Sequence, residues 1–134
     1  MRLRDWESRF TAYVCRIATA PFGWGVHDCA LFAAGGVDAV TGEDPAARWR
    51  DQYSSEMGGL LQLRRAGFDS HIELAASLYP EIHPSAAWPA DIAVIPEGGI
   101  GALGLVQGEM VYVLREEGLG LVPIGSAVQI LGVR

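Results

Sequence analysis

The spacing of hydrophobic residues along the chain changes from helical to strand-like near residue 88. Before that point apolar side chains recur at three- and four-residue steps, and the pattern predicts five helices, at 3–18, 29–40, 46–51, 57–65 and 72–78. After it, short runs of Val, Ile and Leu separated by Gly and Pro predict strands at 91–95, 103–106, 110–114, 119–123 and 128–133. Helices followed by strands are typical of an α+β fold, with the helices packed on an antiparallel sheet, here a meander.

The second predicted helix begins at a cysteine. Asp28 stands directly before Cys29, the first residue of that helix. A side-chain oxygen at the N-cap accepts from amides of the first turn, and the positive end of the helix favours an anion such as a thiolate. The sequence therefore predicts a lowered pKa for Cys29, which is the condition for a nucleophilic cysteine. The alternative is a cysteine that packs as a small buried hydrophobe.

Composition limits the classes of function. The 134 residues fit one domain, 1–134, and half of them are hydrophobic. The mean hydropathy of +0.20 indicates that a partner covers some of the surface. A formal charge of -6 and the absence of lysine argue against nucleic-acid binding, because phosphate contacts need clustered cations.

Neither cysteine belongs to a paired zinc-ligand spacing, so Cys15 and Cys29 are predicted to be free thiols, and no metal or other cofactor is expected. The charged N-terminus lacks the apolar core of a signal peptide, and no run of about 18 apolar residues follows it. We therefore expect a chain made in the cytoplasm, without a signal peptide and without membrane insertion.

The residues around Cys29 resemble the NlpC-type cell-wall cysteine peptidases, a papain-like family that includes proteins of bacteriophage tail tips. In that family an aromatic-glycine loop leads to Asp-Cys-Ser-Gly; here Phe-Gly-Trp-Gly at 22–25 is followed by Asp-Cys-Ala-Leu at 28–31. The first strand of the family follows Pro-Gly-Asp, and this chain has Pro-Ala-Asp at 89–91. The resemblance implies a papain-like, NlpC-like fold, in which the helix at Cys29 packs centrally on a sheet of about five strands.

Three polar groups of the NlpC-type active site are replaced in this chain. Ala102 stands where the family has the strand histidine that takes the cysteine proton. Tyr112 is the nearest match to the residue that orients that histidine, and Phe22 replaces a tyrosine that helps to hold the oxyanion. Because removing one member of such a set costs orders of magnitude in rate, the resemblance implies that peptidase activity has been lost.

The three histidines are the candidates for a replacement base. His27 lies two residues before Cys29 and is the candidate catalytic partner; the alternative is that it hydrogen-bonds the loop or faces a partner. His71 and His83 flank the last predicted helix and are predicted to be surface histidines. With the strand histidine missing, we expect no imidazole within hydrogen-bond reach of the Cys29 sulfur.

These observations lead to one predicted function and two alternatives. The prediction is a structural or assembly protein of a phage-type tail tip, made in the host cytoplasm and located in the virion tail, with a degenerate NlpC-like peptidase fold. The first alternative is an active cysteine peptidase acting on peptidoglycan with Cys29 and His27. The second is a small binding domain unrelated to phage.

The predicted partners are other tail-tip or baseplate proteins, with peptidoglycan as a further candidate. Trp24, Tyr53 and the loop at 98–101 carry apolar or backbone surface without charged side chains, so we expect some of them to be buried against other chains. Three more residues are candidates for binding or interface contacts, namely Phe22, Asp28 and Tyr112.

Overall fold

Four α-helices pack with one six-stranded antiparallel sheet in the computed structural model, which describes residues 1–134. The helices are α1 (Trp6–Ile17), α2 (Cys29–Thr41), α3 (Glu56–Arg65) and α4 (His71–Leu78). The strands are β1 (Glu81–Ile82), β2 (Ile92–Ile95), β3 (Ala102–Gln107), β4 (Met110–Arg115), β5 (Gly118–Pro123) and β6 (Gln129–Leu131). The α+β class and the order of helices before the main strands are confirmed. None of the helices combines the length and the apolar character that crossing a bilayer requires.

The strand order is β1-β6-β2-β3-β4-β5, and every neighbouring pair is antiparallel. Strands β2 to β5 form the predicted meander, but β6 returns to pair with β2, so a meander of all five predicted strands is wrong. Ile130 and Leu131 of β6 are at most 1% exposed. Beside β2 these side chains are covered, whereas β5 at the sheet edge leaves Leu121 half exposed. The two-residue strand β1 is too short to be recognised from alternation.

Helix α2 lies at the centre of the fold, as predicted. It buries Leu31, Phe32, Val37 and Val40 and contacts both α1 and the sheet. Gly36 faces Leu105 of β3, and a Cβ at this glycine would overlap the leucine side chain. A glycine is therefore needed for the close approach of helix and sheet.

The helix predicted at 46–51 is wrong, because residues 45–51 form consecutive turns. The Asp44 carboxylate accepts from the Ala46 amide at 2.9 Å and binds Arg50 at 2.6 Å, which closes the first turn locally. Asp51 then adopts φ 62, a left-handed conformation that ends any helical path. The Asp51 amide donates to the Gly25 carbonyl at 2.8 Å, so the turns are tied to the glycine loop.

A buried carboxylate fastens the two chain ends together. Asp91 lies just before β2 and is 0% exposed. Its Oδ1 accepts from Arg2 at 3.0 Å and from the Val133 amide at 2.8 Å, and its Oδ2 accepts from Arg134 at 2.6 Å and from the Trp88 amide at 2.7 Å. We call this set of residues the Asp91 cluster. The structure begins β2 at Ile92, so the predicted strand start at residue 91 is one residue early.

Candidate functional site

The start of α2 is fixed by one buried carboxylate, as the sequence predicted. Asp28 is 2% exposed and caps the helix, with Oδ1 accepting from the Leu31 amide at 3.0 Å. Its Oδ2 accepts from the Gly25 amide at 3.0 Å and from the Tyr53 hydroxyl at 2.6 Å. Asp28 thereby joins the glycine loop, the helix and Tyr53, and it holds Cys29 at the first helical position.

The imidazole closest to the thiol comes from α4. His71 is the first residue of that helix, whose N-cap Ser70 accepts from the Glu73 amide at 3.1 Å. The His71 Nε2 lies 3.9 Å from the Cys29 Sγ, within the range of a sulfur hydrogen bond. The expectation that no imidazole reaches the sulfur is wrong, and so is the prediction that His71 is a simple surface histidine.

The His71 ring is neutral at neutral pH. Burial lowers its pKa, which the Asp28 charge and a hydrogen bond to the Gly101 backbone only partly oppose. A neutral imidazole can accept a proton at Nε2, the atom that faces the sulfur. Gly101 directly precedes Ala102, and Ala102 lines the same cavity as Cys29. Helix α4 therefore places an imidazole near the start of β3, where the resemblance to the NlpC-type family placed a histidine.

The predicted lowering of the Cys29 pKa is wrong. Burial raises the pKa of the Cys29 thiol to about 11, and the nearby Asp28 charge acts in the same direction. Hydrogen bonds from the backbone of Leu103 and from the amides of Ala30 and Cys29 itself oppose this effect without cancelling it. The apolar surroundings outweigh the helix N-terminus, so the resting pair is a neutral thiol beside a neutral imidazole.

A cavity of about 350 Å³ opens beside this pair, and 21 of the 31 residues that line it are hydrophobic. Five of the predicted site residues line it: Phe22, Trp24, Asp28, Cys29 and Tyr53. The Phe22 and Trp24 rings meet edge to face with centroids 5.0 Å apart, which fixes the aromatic part of the wall. The sequence thus identified one wall of the cavity, whereas the α3 and α4 side was not foreseen.

His27 and Tyr112 do not line the cavity. The His27 ring packs edge-on against Phe32 with centroids 6.3 Å apart, and its Nε2 is buried without a hydrogen-bond partner. Its backbone pairs with Gly23 in the loop, but its side chain makes no hydrogen bond to the loop. Tyr112 packs edge-on against Phe10 under α1. Neither residue is placed to act on Cys29.

The remaining predicted sites are on the surface. His83 is exposed, as predicted, and its Nδ1 contacts the Ser85 hydroxyl at 2.7 Å. Cys15 is an exposed free thiol, and Cys29 is free as well. The chain contains no group of three or more His, Cys, Asp or Glu side chains placed to hold a metal ion.

The sequence model of a family described as a domain of unknown function, DUF6950, matches residues 1–133, so the chain belongs to this family. The match includes every residue named above at the cavity. No curated protein and no solved structure matches the chain. The functional argument therefore starts from the geometry of the Cys29 and His71 pair.

Proposed function

We propose that this protein is a thiol-dependent hydrolase in which Cys29 is the nucleophile and His71 the general base. The observation that carries the proposal is the 3.9 Å approach of Nε2 to Sγ at the wall of a cavity of about 350 Å³. Catalytic hydrogen bonds are often long in unliganded structures and shorten when substrate binds. A cysteine and a histidine from distant parts of the chain, meeting at a cavity, are the signature of this chemistry.

Acylation begins from the neutral pair. As Sγ attacks the substrate carbonyl carbon, the thiol proton moves to Nε2 of His71 and a carbon–sulfur bond forms. The carbonyl oxygen gains negative charge, which the amides of Cys29 and Ala30 at the start of α2 stabilise, since they have no acceptor within the helix and lie beside the sulfur. The imidazolium then returns the proton to the leaving nitrogen or oxygen as its bond to carbon breaks, and a thioester remains on Cys29.

Deacylation uses the same base. A water molecule attacks the thioester carbon while His71 takes its proton, and the carbon–sulfur bond breaks to release the acid. The proton passes from Nε2 to the departing sulfur, which restores the starting thiol.

The NlpC-type, papain-like relationship is part of the proposal. It is supported by a cysteine at the start of the central helix, by helices that precede an antiparallel sheet, and by the Pro-Ala-Asp sequence before β2. Ala90 of that sequence adopts φ 72, a conformation that favours the glycine that the family has there. Under this relationship, peptidoglycan is the candidate substrate and the phage-type tail tip is the candidate place of action.

The test is hydrolysis of p-nitrophenyl acetate and of peptidoglycan fragments by four variants. We expect Cys29→Ala to abolish turnover and His71→Gln to lower kcat/KM by about 100-fold or more, the usual contribution of a general base. His27→Gln should retain activity, and His83→Gln serves as the exposed control. Activity that survives Cys29→Ala, or that is lost in His27→Gln but kept in His71→Gln, contradicts the proposal.

A second candidate, an assembly role in the tail tip without catalysis, is favoured by one observation. Helix α3 has no fully buried residue and exposes Met57 by 62% and Leu61 by 45%. Side chains of this kind become covered when a protein is held in a larger assembly. We expect the double change Met57→Glu and Leu61→Glu to weaken incorporation into tail tips if this role is correct, and normal incorporation contradicts it.

A further inference from the structure

Aliphatic side chains from three parts of the chain line the cavity beside Cys29. Helix α3 contributes Leu60 and Leu63, α4 contributes Leu74 and Leu78, and the loop before β3 contributes Ile100. These side chains line the same cavity as the Cys29 sulfur and offer no hydrogen-bonding group. An acyl group bonded to Sγ therefore lies at a cavity whose lining is mostly hydrophobic, 21 of 31 residues.

The charged side chains at the cavity have the wrong sign for an anionic ligand. Its lining includes four carboxylates, of Asp28, Glu56, Glu97 and Glu116, but a single guanidinium, that of Arg115. Arg115 donates to Glu97 through Nε at 3.2 Å and Nη2 at 2.7 Å, so this cation is already paired. A substrate carboxylate would enter an apolar, negatively charged cavity without a partner, which is costly.

We infer that the acyl group transferred to Cys29 is an uncharged aliphatic chain, as in a fatty acyl ester or thioester. The inference rests on the proposed cysteine hydrolase chemistry, and it assigns a substrate class that differs from the peptidoglycan suggested by the NlpC-type relationship. The cavity volume of about 350 Å³ is within the size range of small-molecule sites. Each methylene that such a chain buries raises kcat/KM by about fourfold, from the transfer free energy of a buried CH₂, until the cavity is filled.

The chain-length test uses p-nitrophenyl esters from acetate to octanoate, with Cys29→Ala measured in parallel. A p-nitrophenyl half ester of adipate is compared with the hexanoate ester, because the two acyl chains have equal length and differ only in a terminal carboxylate. We expect Cys29-dependent kcat/KM to rise along the series and the adipate half ester to be at least tenfold poorer than hexanoate.

A matched pair of variants tests the charge argument. Leu78 lines the cavity and is 50% exposed, whereas Leu121 of β5 lies outside the cavity and is 51% exposed. Leu78→Arg supplies the missing cation and should raise turnover of the adipate half ester relative to hexanoate by about tenfold. Leu121→Arg adds the same charge elsewhere and should leave this ratio unchanged.

The outcomes separate the two proposals. Cys29-dependent hydrolysis that is independent of chain length, or that favours adipate or a peptidoglycan fragment over hexanoate, overturns the aliphatic substrate class and leaves the hydrolase proposal standing. Absence of Cys29-dependent turnover with every ester and with peptidoglycan fragments overturns the hydrolase proposal, and the inference fails with it.

Discussion

The Asp91 cluster and the Cys29–His71 pair are both partly or fully buried polar groups, but they differ in how completely their polar atoms are hydrogen-bonded. The Asp91 carboxylate accepts four hydrogen bonds, at 2.6 to 3.0 Å, all from groups of this chain. Cys29 and His71 share one long contact of 3.9 Å and face a cavity. The first group has no capacity left for a ligand, whereas the second does.

The difference separates a structural polar site from a reactive one. A carboxylate that is 0% exposed must be compensated within the protein, and two arginines and two amides provide this around Asp91. Around Cys29 the compensation is incomplete, so burial raises the pKa of the thiol and lowers that of His71. Buried polar groups that lack full hydrogen bonding beside a cavity are candidates for a reactive site, and this is the physical reason to assign chemistry to Cys29 and His71.

The largest effect on stability is expected from Asp91→Ala. This change leaves Arg2, which is 4% exposed at its side chain, without its buried partner. We expect the free energy of unfolding to fall by about 3–5 kcal/mol, the usual cost of breaking a buried ion pair. Denaturant titration measures the loss.

The matched control for Asp91 is the partly exposed pair of Glu97 and Arg115. These side chains are 31% and 40% exposed, so Glu97→Gln should cost about 0.2–1 kcal/mol. Equal losses in the two variants would show that burial does not distinguish the two ion pairs.

Tyr53→Phe should have the next largest effect. The change removes the 2.6 Å hydrogen bond to Asp28, a charged acceptor that is 2% exposed. Hydrogen bonds to charged groups contribute about 1.5–3 kcal/mol, and we expect a loss of this size in denaturant titration. Tyr112→Phe is the matched control, since Tyr112 packs through its ring against Phe10. A loss as large in the control contradicts the assigned role of the Tyr53 hydroxyl.

The same two regions show what a sequence can predict. The cap at Asp28 and the start of α2 at Cys29 follow local rules, because the interacting groups are within three residues of each other. The contact of Cys29 with His71 joins residues 42 positions apart, and no local pattern encodes it. The sequence suggested a lowered Cys29 pKa from the cap alone, but the burial that raises this pKa depends on how α4 and the strands of the sheet pack around Cys29.

The Asp91 cluster and the position of β6 were missed for the same reason. Asp91 is 89 residues from Arg2 and 43 residues from Arg134 along the sequence, and only the folded structure brings the three together. The short apolar run that predicted strand 128–133 carries no information about which neighbour that strand takes. Pairing of β6 with β2 is decided by the burial of Ile130 and Leu131.

Acid should destabilise the fold through its two poorly solvated imidazoles. Burial is the main cause that lowers the pKa of both His27 and His71 below 6.5 in the folded state. The unfolded chain therefore binds more protons, and stability falls as the pH drops through the ordinary histidine pKa toward the folded values. The free energy of unfolding of the unaltered protein should decrease from pH 8 to pH 5. The decrease should be smaller in His71→Gln and smallest in the double change His27→Gln and His71→Gln. Identical pH dependence in all three proteins contradicts the placement of these rings.

A small effect on stability is expected where the effect on activity is largest. Cys29→Ala removes one sulfur atom that makes a single long contact with His71, so the free energy of unfolding should change by about 1 kcal/mol or less. Cys15→Ala, at an exposed position in α1, is the matched control and should change it by no more than about 0.5 kcal/mol. Denaturant titration of both variants beside Asp91→Ala makes the comparison directly. If Cys29→Ala proves as damaging as Asp91→Ala, the thiol is a core residue, and the contrast between a structural and a reactive polar site does not hold.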